Sequence, residues 1–357
     1  MATVRQRKSG SKAEPGKNMS DLSAQQKATQ RPAGRFSQPH SSLLSMVLIR
    51  LFYGVLVVLA VSVLIFAGVQ LLPGNAATAI LGQSATPDAI RELNLQLGLD
   101  KPAVSRYLSW LAGVLHGDFG TSFSTREAIS GPLFTRLGNT LFLAGCTAAI
   151  AVPLALLIGF ISVRYQGSVI DTLLNAITRA TVALPEFFSG YLLILIFAIT
   201  LAWAPSNSSI TADMPLAAKL SAISLPCATL VLAILGHMSN MTRAALIAAQ
   251  SSAYVDTALL KGLSPSRILW RHVLPNAVGP IINVVAINLA YLMVGVVIVE
   301  NVFVYPGLGQ YMVDSISKRD IPVMQDCALL LAGIYILLNL LADVMSLVAN
   351  PRLRHNR

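Results

Sequence analysis

Charge is scarce in this 357-residue chain. Only 12% of the residues are Asp, Glu, Lys or Arg, against 54% hydrophobic, and the mean hydropathy is +0.65. That balance excludes an ordinary water-soluble domain and identifies an integral membrane protein. Cysteine is nearly absent too. Cys146, Cys227 and Cys327 all lie in apolar runs, with no Cys-x-x-Cys or Cys/His spacing, which excludes a disulfide framework and a metal site and leaves them as small core residues. No Gly-x-x-x-x-Gly-Lys-Ser/Thr phosphate loop occurs, so the chain does not hydrolyse ATP alone. Nor is there a Ser/His or paired-Asp arrangement in the apolar runs, so no catalytic residue is assigned.

The charge that is present is unevenly placed. The formal net charge is +10, and residues 1–46 hold eight Lys/Arg against two acids in a Ser-, Gln- and Pro-containing stretch. That segment reads as a disordered basic tail held cytoplasmic by its charge, with no nucleic-acid partner and no cleaved signal peptide. Runs long enough to span a bilayer, about 20 residues each, fall at 51–72, 140–163, 181–204, 222–240, 279–300 and 327–349. Six spans put both termini on one side, and 18 of the 26 basic residues fall on the side of the N-terminal tail, which makes both termini cytoplasmic. The expected organisation is a tail at 1–46, a first helix at 47–72, and an extracytoplasmic helical loop at 73–138. A five-helix core follows at 139–350, with a short cytoplasmic tail at 351–357.

The loop at 73–138 balances five basic against five acidic residues and carries its own helix signals. Thr86 and Pro87 form a cap and first turn, Gly98 an end, and Val104, Leu108, Leu111 and Leu115 share a face of a second helix. Within the spans, ionisable residues are few. Glu186 suits a helix start after Pro185. His237 reads as interfacial, near the end of the fourth span. Glu300 marks the outer end of the fifth, and Asp343 pairs with an inner-side cation or with Asn339. Without a spaced series of acids this is not a proton pump. A self-powered secondary transporter would need paired interrupted helices with ionisable groups at mid-membrane, and no convincing pair is present. Asn283, Asn288 and Tyr291 on the fifth span are candidates to line a path, or else to bond between helices.

Residues 251–277 form the most deliberate polar stretch. Ser251 or Ser252 can cap a short helix through Ala253–Lys261, and Gly262 can end it in a left-handed conformation. Ser264 then caps a second helix begun by Pro265, which Pro275 interrupts before the fifth span. Asp256, Thr257 and Ala258 are small enough for close approach, and Leu259, Leu260 and Leu263 offer apolar contact. Such a loop is built to dock.

These residues resemble the EAA signature of permease subunits of bacterial ABC importers: E-A-A, three residues, G, nine residues, I-x-L-P. Asp256-Thr257-Ala258 stand at E-A-A, Gly262 follows, and His272, Val273, Leu274 and Pro275 complete the spacing. Asp for Glu, Thr for Ala and His for Ile depart from it. Tyr254, Lys261, Leu263, Ser264 and Arg271 complete a form of the motif that is similar to the dipeptide, oligopeptide and nickel branch. "LLPGNAATAILG", "LGLDKPAVSRYLSWLAGVLHGDFGTSF", "ENVFVYPGLGQYMVDSISKRDIPVMQ" and "NLLADVMSLVANPRLR" resemble its first, B-type, permease, over about residues 47–354. At 73–75, Pro-Gly-Asn replaces the usual Pro-Gly-Asp. The resemblance implies a type I ABC importer (MetI-like) permease fold in the bacterial inner membrane. It implies as partners a second homologous permease, two cytoplasmic ATPases that carry ATP and Mg, and an extracytoplasmic substrate-binding protein. The implied cargo is a peptide or peptide-like solute, with glutathione or chelated nickel as alternatives.

Overall fold

The computed structural model describes residues 43–71 and 76–349. The basic tail, Pro73-Gly74-Asn75 and the C-terminal tail lie outside those residues, apart from the last few positions of the 1–46 segment. The regular secondary structure of the described residues is helical, apart from one isolated bridge between Thr121 and Ala128.

In chain order the helices are α1 (Leu43–Gln70), α2 (Ala76–Leu81), α3 (Pro87–Gln96), α4 (Ala103–Leu115), α5 (Ser130–Arg164), α6 (Val169–Ala183) and α7 (Glu186–Leu193). They continue with α8 (Leu216–Ala222), α9 (Ser224–Gln250), α10 (Ala253–Leu260), α11 (Pro265–Ile268), α12 (Leu274–Val302), α13 (Leu308–Lys318) and α14 (Ile321–Ala349). Wide π-type turns extend α7 over Ile194–Thr200 and join α11 to α12 over Leu269–Val273. Among the described residues five helices are long and apolar enough to cross a bilayer, and a bent pair passes the same test when taken together, which makes six if the pair is one span.

The bent pair corrects the third expected span. Instead of one helix at 181–204, α6 and α7 meet at 101°. Proline explains the break: Pro185 has no N–H to give, and its ring pushes Leu184 out of the helical region, to φ −91° and ψ 123°. The fourth and fifth spans also run further than expected, to Gln250 and from Pro265. Hydropathy stops at polar residues, whereas the helix continues because those residues face protein: Ser239 and Thr242 are both buried.

Small residues let these helices approach. A Cβ on Gly159 of α5 would stand 2.9 Å from the Thr242 side chain and 3.1 Å from the Ser239 carbonyl oxygen of α9, the small-residue contact that drives helix association in lipid. The main core joins α5, α9 and α12 through Leu143, Ala151, Leu230, Met238, Val296 and Val299.

Between α1 and α5 the chain begins α3 as expected, with Ala89 N–H donating to Thr86 Oγ1 at 3.3 Å and Gly98 following at φ 66°. The shared face of α4 points outward. Val104, Leu108 and Leu115 are 70%, 57% and 76% exposed, while the opposite side carries Tyr107 and Trp110 onto Phe66 of α1. Trp110 Nε1 also donates to Asp326 Oδ1 of α14 at 2.8 Å. The aromatic rings bury more surface per residue than the leucines and bring their own donors. Further on, Asp320 gathers the Phe123 and Ser124 N–H groups and both the Ser122 and Ser124 hydroxyls.

Candidate coupling segment and mid-span cavity

The segment after α9 folds as two short helices around Gly262. Ser252 occupies the cap position of α10 without a side-chain bond, and the Ser251 hydroxyl donates back to Ala248 O at 2.9 Å. Ser264 likewise caps α11 through its backbone alone. Gly262 has φ 74°, as expected of a left-handed end, and its N–H donates to Leu259 O at 2.9 Å.

One face of this segment is glued to the bundle. Ala258 is 5% exposed and packs with Val255, Ile268, Leu269, Val273 and Ala277 against Val163 of α5 and Leu246 of α9, with Leu263 and Leu274 at the margin. Ala258 and Leu263 therefore serve the seat of the segment and not the outward contact expected of them. Only a small residue at 258 lets the short helix lie close to the bundle. The outward face carries Tyr254, Asp256, Thr257, Leu259, Leu260, Lys261, Ser264 and Arg271, and Leu260 is 89% exposed. Two of these side chains are braced on their own backbone: Tyr254 Oη donates to Ala249 O and Thr257 Oγ1 to Ala253 O, both at 3.0 Å.

Pro275 does not interrupt the helix. Pro265–Val302 is one continuous element of 38 residues, because the wide turn over Leu269–Val273 relieves the clash between the proline ring and the preceding turn. His272 sits in that turn, half-buried, its carbonyl accepting from Asn276 Nδ2 at 2.7 Å.

Beside the seat lies a polar clamp. Arg243 of α9 donates through Nη2 to Asp171 Oδ2 at 3.0 Å and through Nε to Ser162 Oγ at 2.9 Å. Ser162 also bonds Asp171, as do Gly167 N–H at 3.1 Å and Asn175 Nδ2 at 2.6 Å. Asp171 is 6% exposed, so α5, α6 and α9 are tied by a carboxylate with its oxygens fully used.

Further along α9 and α12 is a cavity of about 730 Å³. Its wall includes Glu186 of α7, His237 and Met241 of α9, and Asn288, Tyr291 and Gly295 of α12. The break between α6 and α7 borders it, through Leu184 and Pro185. Two of the three path candidates, Asn288 and Tyr291, are on this wall; Asn283 is not. Asn288 is 2% exposed and spends its amide on Val284 O at 2.8 Å. His237, expected near the end of its span, stands at the midpoint of α9, because that helix runs on to Gln250. Glu186 is at a helix start as expected, yet its carboxylate turns to Gly295 and one oxygen, Oε2, is buried without a hydrogen-bond partner. The proline before it was the available signal.

The remaining ionisable span residues have structural partners. Asp343 pairs with Arg50 of α1, the inner-side cation among the expected alternatives, while Asn339 bonds Tyr335 O. Glu300 is fully buried and accepts from Thr140 Oγ1 at 2.6 Å, Gly309 N–H at 2.7 Å and Gln310 N–H at 3.2 Å. In the adjoining turn, burial pushes the Tyr305 phenol above its usual range, with the Glu300 carboxylate adding to the shift. It stays a neutral donor to Asn139 O at 2.7 Å.

Residues 151–355 match the family described as binding-protein-dependent transport system inner membrane component, and residues 43–144 match the N-terminal region described for the membrane components of such systems. The chain is similar to the di/tripeptide transport system permease protein of Pseudomonas aeruginosa, 33% identical over 87% of this chain and 97% of that one. It is also similar to the glutathione transport system permease protein of Salmonella typhimurium, 34% identical over 88% of this chain and all of that one. A solved chain from the MetNI methionine ABC transporter aligns with a TM-score of 0.49 at 17% identity, over 61% of this chain and 96% of that one. The chain belongs to the inner membrane components of binding-protein-dependent transport systems.

Proposed function

We propose that this chain is one of two permease subunits of an ATP-driven importer of peptides or peptide-like solutes, and that Tyr254–Arg271 is where a cytoplasmic ATPase docks. The observation that carries the reading is continuity. The helices that seat the segment, α9 through Leu246 and α12 through Val273 and Ala277, are the same two that line the mid-span cavity through His237 and Asn288. From Val273 to Asn288 is 15 residues, about 22 Å of helix at 1.5 Å per residue. Tilting the seat therefore moves the cavity wall, and a partner that binds the outward face differently in two states can drive the change. Nucleotide and its Mg bind the ATPases. The Lys/Arg count supports cytoplasmic termini and a cytoplasmic dock, which puts the 73–138 segment outside, toward the substrate-binding protein.

Peptide cargo is supported by the di/tripeptide permease among the relatives, and glutathione by the second of them. The test is ATP-dependent uptake into proteoliposomes that hold the complete complex, offered Ala-Ala, glutathione and a nickel–histidine chelate in turn. Ala-Ala uptake that disappears on Asp256→Arg, with the permease still in the membrane, is the expected result. Uptake of the nickel chelate alone would overturn the peptide assignment. Full uptake by Asp256→Arg would overturn the dock.

A further inference from the structure

We propose that Glu186 is a cargo-recognising group at the middle of the path, taking the positively charged amino terminus of a peptide; this rests on the peptide reading above. The cavity lies midway along two long helices. His237 is the midpoint of α9, Ser224–Gln250, and Asn288 the midpoint of α12, Leu274–Val302. Glu186 reaches the same level because α6 and α7 break at Leu184–Pro185, so that the first residue of α7 starts inside the bundle. Gly295 makes room for the carboxylate: a Cβ there would stand 2.8 Å and 2.9 Å from its two oxygens.

The carboxylate has been brought to the cavity without a donor. Oε2 is buried and has no hydrogen-bond partner, and no ion pair joins Glu186 to any described residue. Each of the other acids within the spans has at least one donor, although Asp326 too keeps one oxygen, Oδ2, buried and unpaired. Glu300 accepts from a hydroxyl and two N–H groups, Asp171 has Arg243, and Asp326 has Trp110. A carboxylate at membrane depth with nothing to accept from is costly, and an acid that lines a cavity rather than the core can be satisfied by what enters the cavity. The chemistry that fits is a cation with N–H donors and little bulk, since the surrounding wall is mostly apolar: Val182, Leu184, Ile234, Ile287, Val294 and Ile298. An ammonium group at one end of a short peptide meets both conditions, with the carboxylate accepting its N–H groups and the apolar wall taking the side chains.

The experiment compares Ala-Ala with N-formyl-Ala-Ala, which lacks the charged amine. Both are offered to proteoliposomes holding the complete complex, wild type or Glu186→Gln, with assembly checked by co-purification of the ATPases. Glutamine keeps the shape and removes the charge. Losing a charge-assisted hydrogen bond of this kind is expected to cut Ala-Ala uptake by about tenfold or more, while uptake of the formyl peptide, whatever its wild-type rate, changes less than about twofold because it never had the partner. Gly295→Ala, which crowds the carboxylate without altering it, should reproduce the selective loss. Equal losses for both peptides would mean a structural role and overturn the proposal. Unchanged uptake of both would overturn it too, as would wild-type Ala-Ala uptake by both variants. A wild-type complex that imports neither peptide overturns the peptide reading and this assignment with it.

Discussion

Gly262 turns at φ 74°, and nothing stands within 4 Å of where its Cβ would be. A side chain there meets no clash. The only cost is the left-handed backbone, on the order of 1 kcal/mol for an ordinary residue and more for a β-branched one. Asparagine tolerates that region better than valine does. We therefore expect Gly262→Asn to keep most ATP-dependent uptake and Gly262→Val to lose it, both at wild-type membrane levels, since six packed spans do not notice a strain of that size. Quantitative immunoblots and uptake from the same vesicles read this out, and equal uptake in the two variants would mean that the turn does not transmit force. Gly262 was legible in the sequence because one residue type in one spot decided the local conformation. The facing of its neighbours was not. The helix Ala253–Leu260 is apolar on both sides, with Val255 and Ala258 inward and Leu259 and Leu260 outward, so no periodicity tells seat from dock. Glu186 was visible as an acid after a proline, but not as an unpartnered one, because Gly295 lies over one hundred residues away.

The clamp shows how an element is held against its neighbours. Arg243 is the only cation paired with Asp171 among the described residues, and it uses two nitrogens in two directions, toward Asp171 and Ser162. Arg243→Ala would strand a nearly buried carboxylate, a loss of about 3–5 kcal/mol where one partner of a buried pair is removed. Arg243→Lys restores charge but not the fork, and should recover stability only in part. The check is thermal stability of the purified complex in detergent, together with steady-state level in the membrane. The expected order is wild type, then lysine, then alanine. An alanine variant as stable as wild type would show that α5, α6 and α9 hold together by apolar packing alone. At this scale the spans were legible wherever lipid or core demanded apolar residues throughout. They failed to show where polar residues face protein, as in the last turns of α9. They also failed where proline acts in opposite senses: Pro185 breaks a helix that looked continuous, while Pro275 is carried through a wide turn that looked like a break. A proline's effect depends on whether the preceding turn can widen, and that is a property of packing.

Across the molecule the loosest span is α1, with only 11% of its most apolar window buried. Two sets of side-chain contacts among the described residues help to fasten it. At one end Arg50 meets Asp343 of α14, a half-exposed pair that contributes little alone. Nearer the other end, Ser62 and Tyr107 share a hydrogen bond of 2.8 Å, Phe66 packs on Tyr107 and Trp110 at ring-centroid distances of 5.4 Å and 6.3 Å, and Gln70 accepts from Arg106 at 2.7 Å. Because Trp110 also donates to Asp326 of α14, α4 works as a strap from the first span to the last. The 73–138 segment was readable in sequence as helical, yet this role was hidden because the leucines, and not the aromatics, formed the obvious stripe. The strap can be tested apart from the ion pair by replacing that pair with a reporter, Arg50→Cys together with Asp343→Cys, whose joining by a short bis-maleimide, which covers the reach of the lost arginine side chain that a direct disulfide could not, measures how often the two helices meet. The native cysteines are buried or partly buried and should react slowly. With the strap intact, the reporter should cross-link readily. Adding Tyr107→Ala and Trp110→Ala removes packing worth several kcal/mol, by order of magnitude for buried aromatic truncation, and the effective concentration of one cysteine at the other should fall about tenfold or more. The chain should still insert, since the apolar length of α1 is untouched. Undiminished cross-linking after both substitutions would place the anchorage of α1 elsewhere, in lipid or in a partner subunit, and leave α4 as a cap on the bundle rather than its strap.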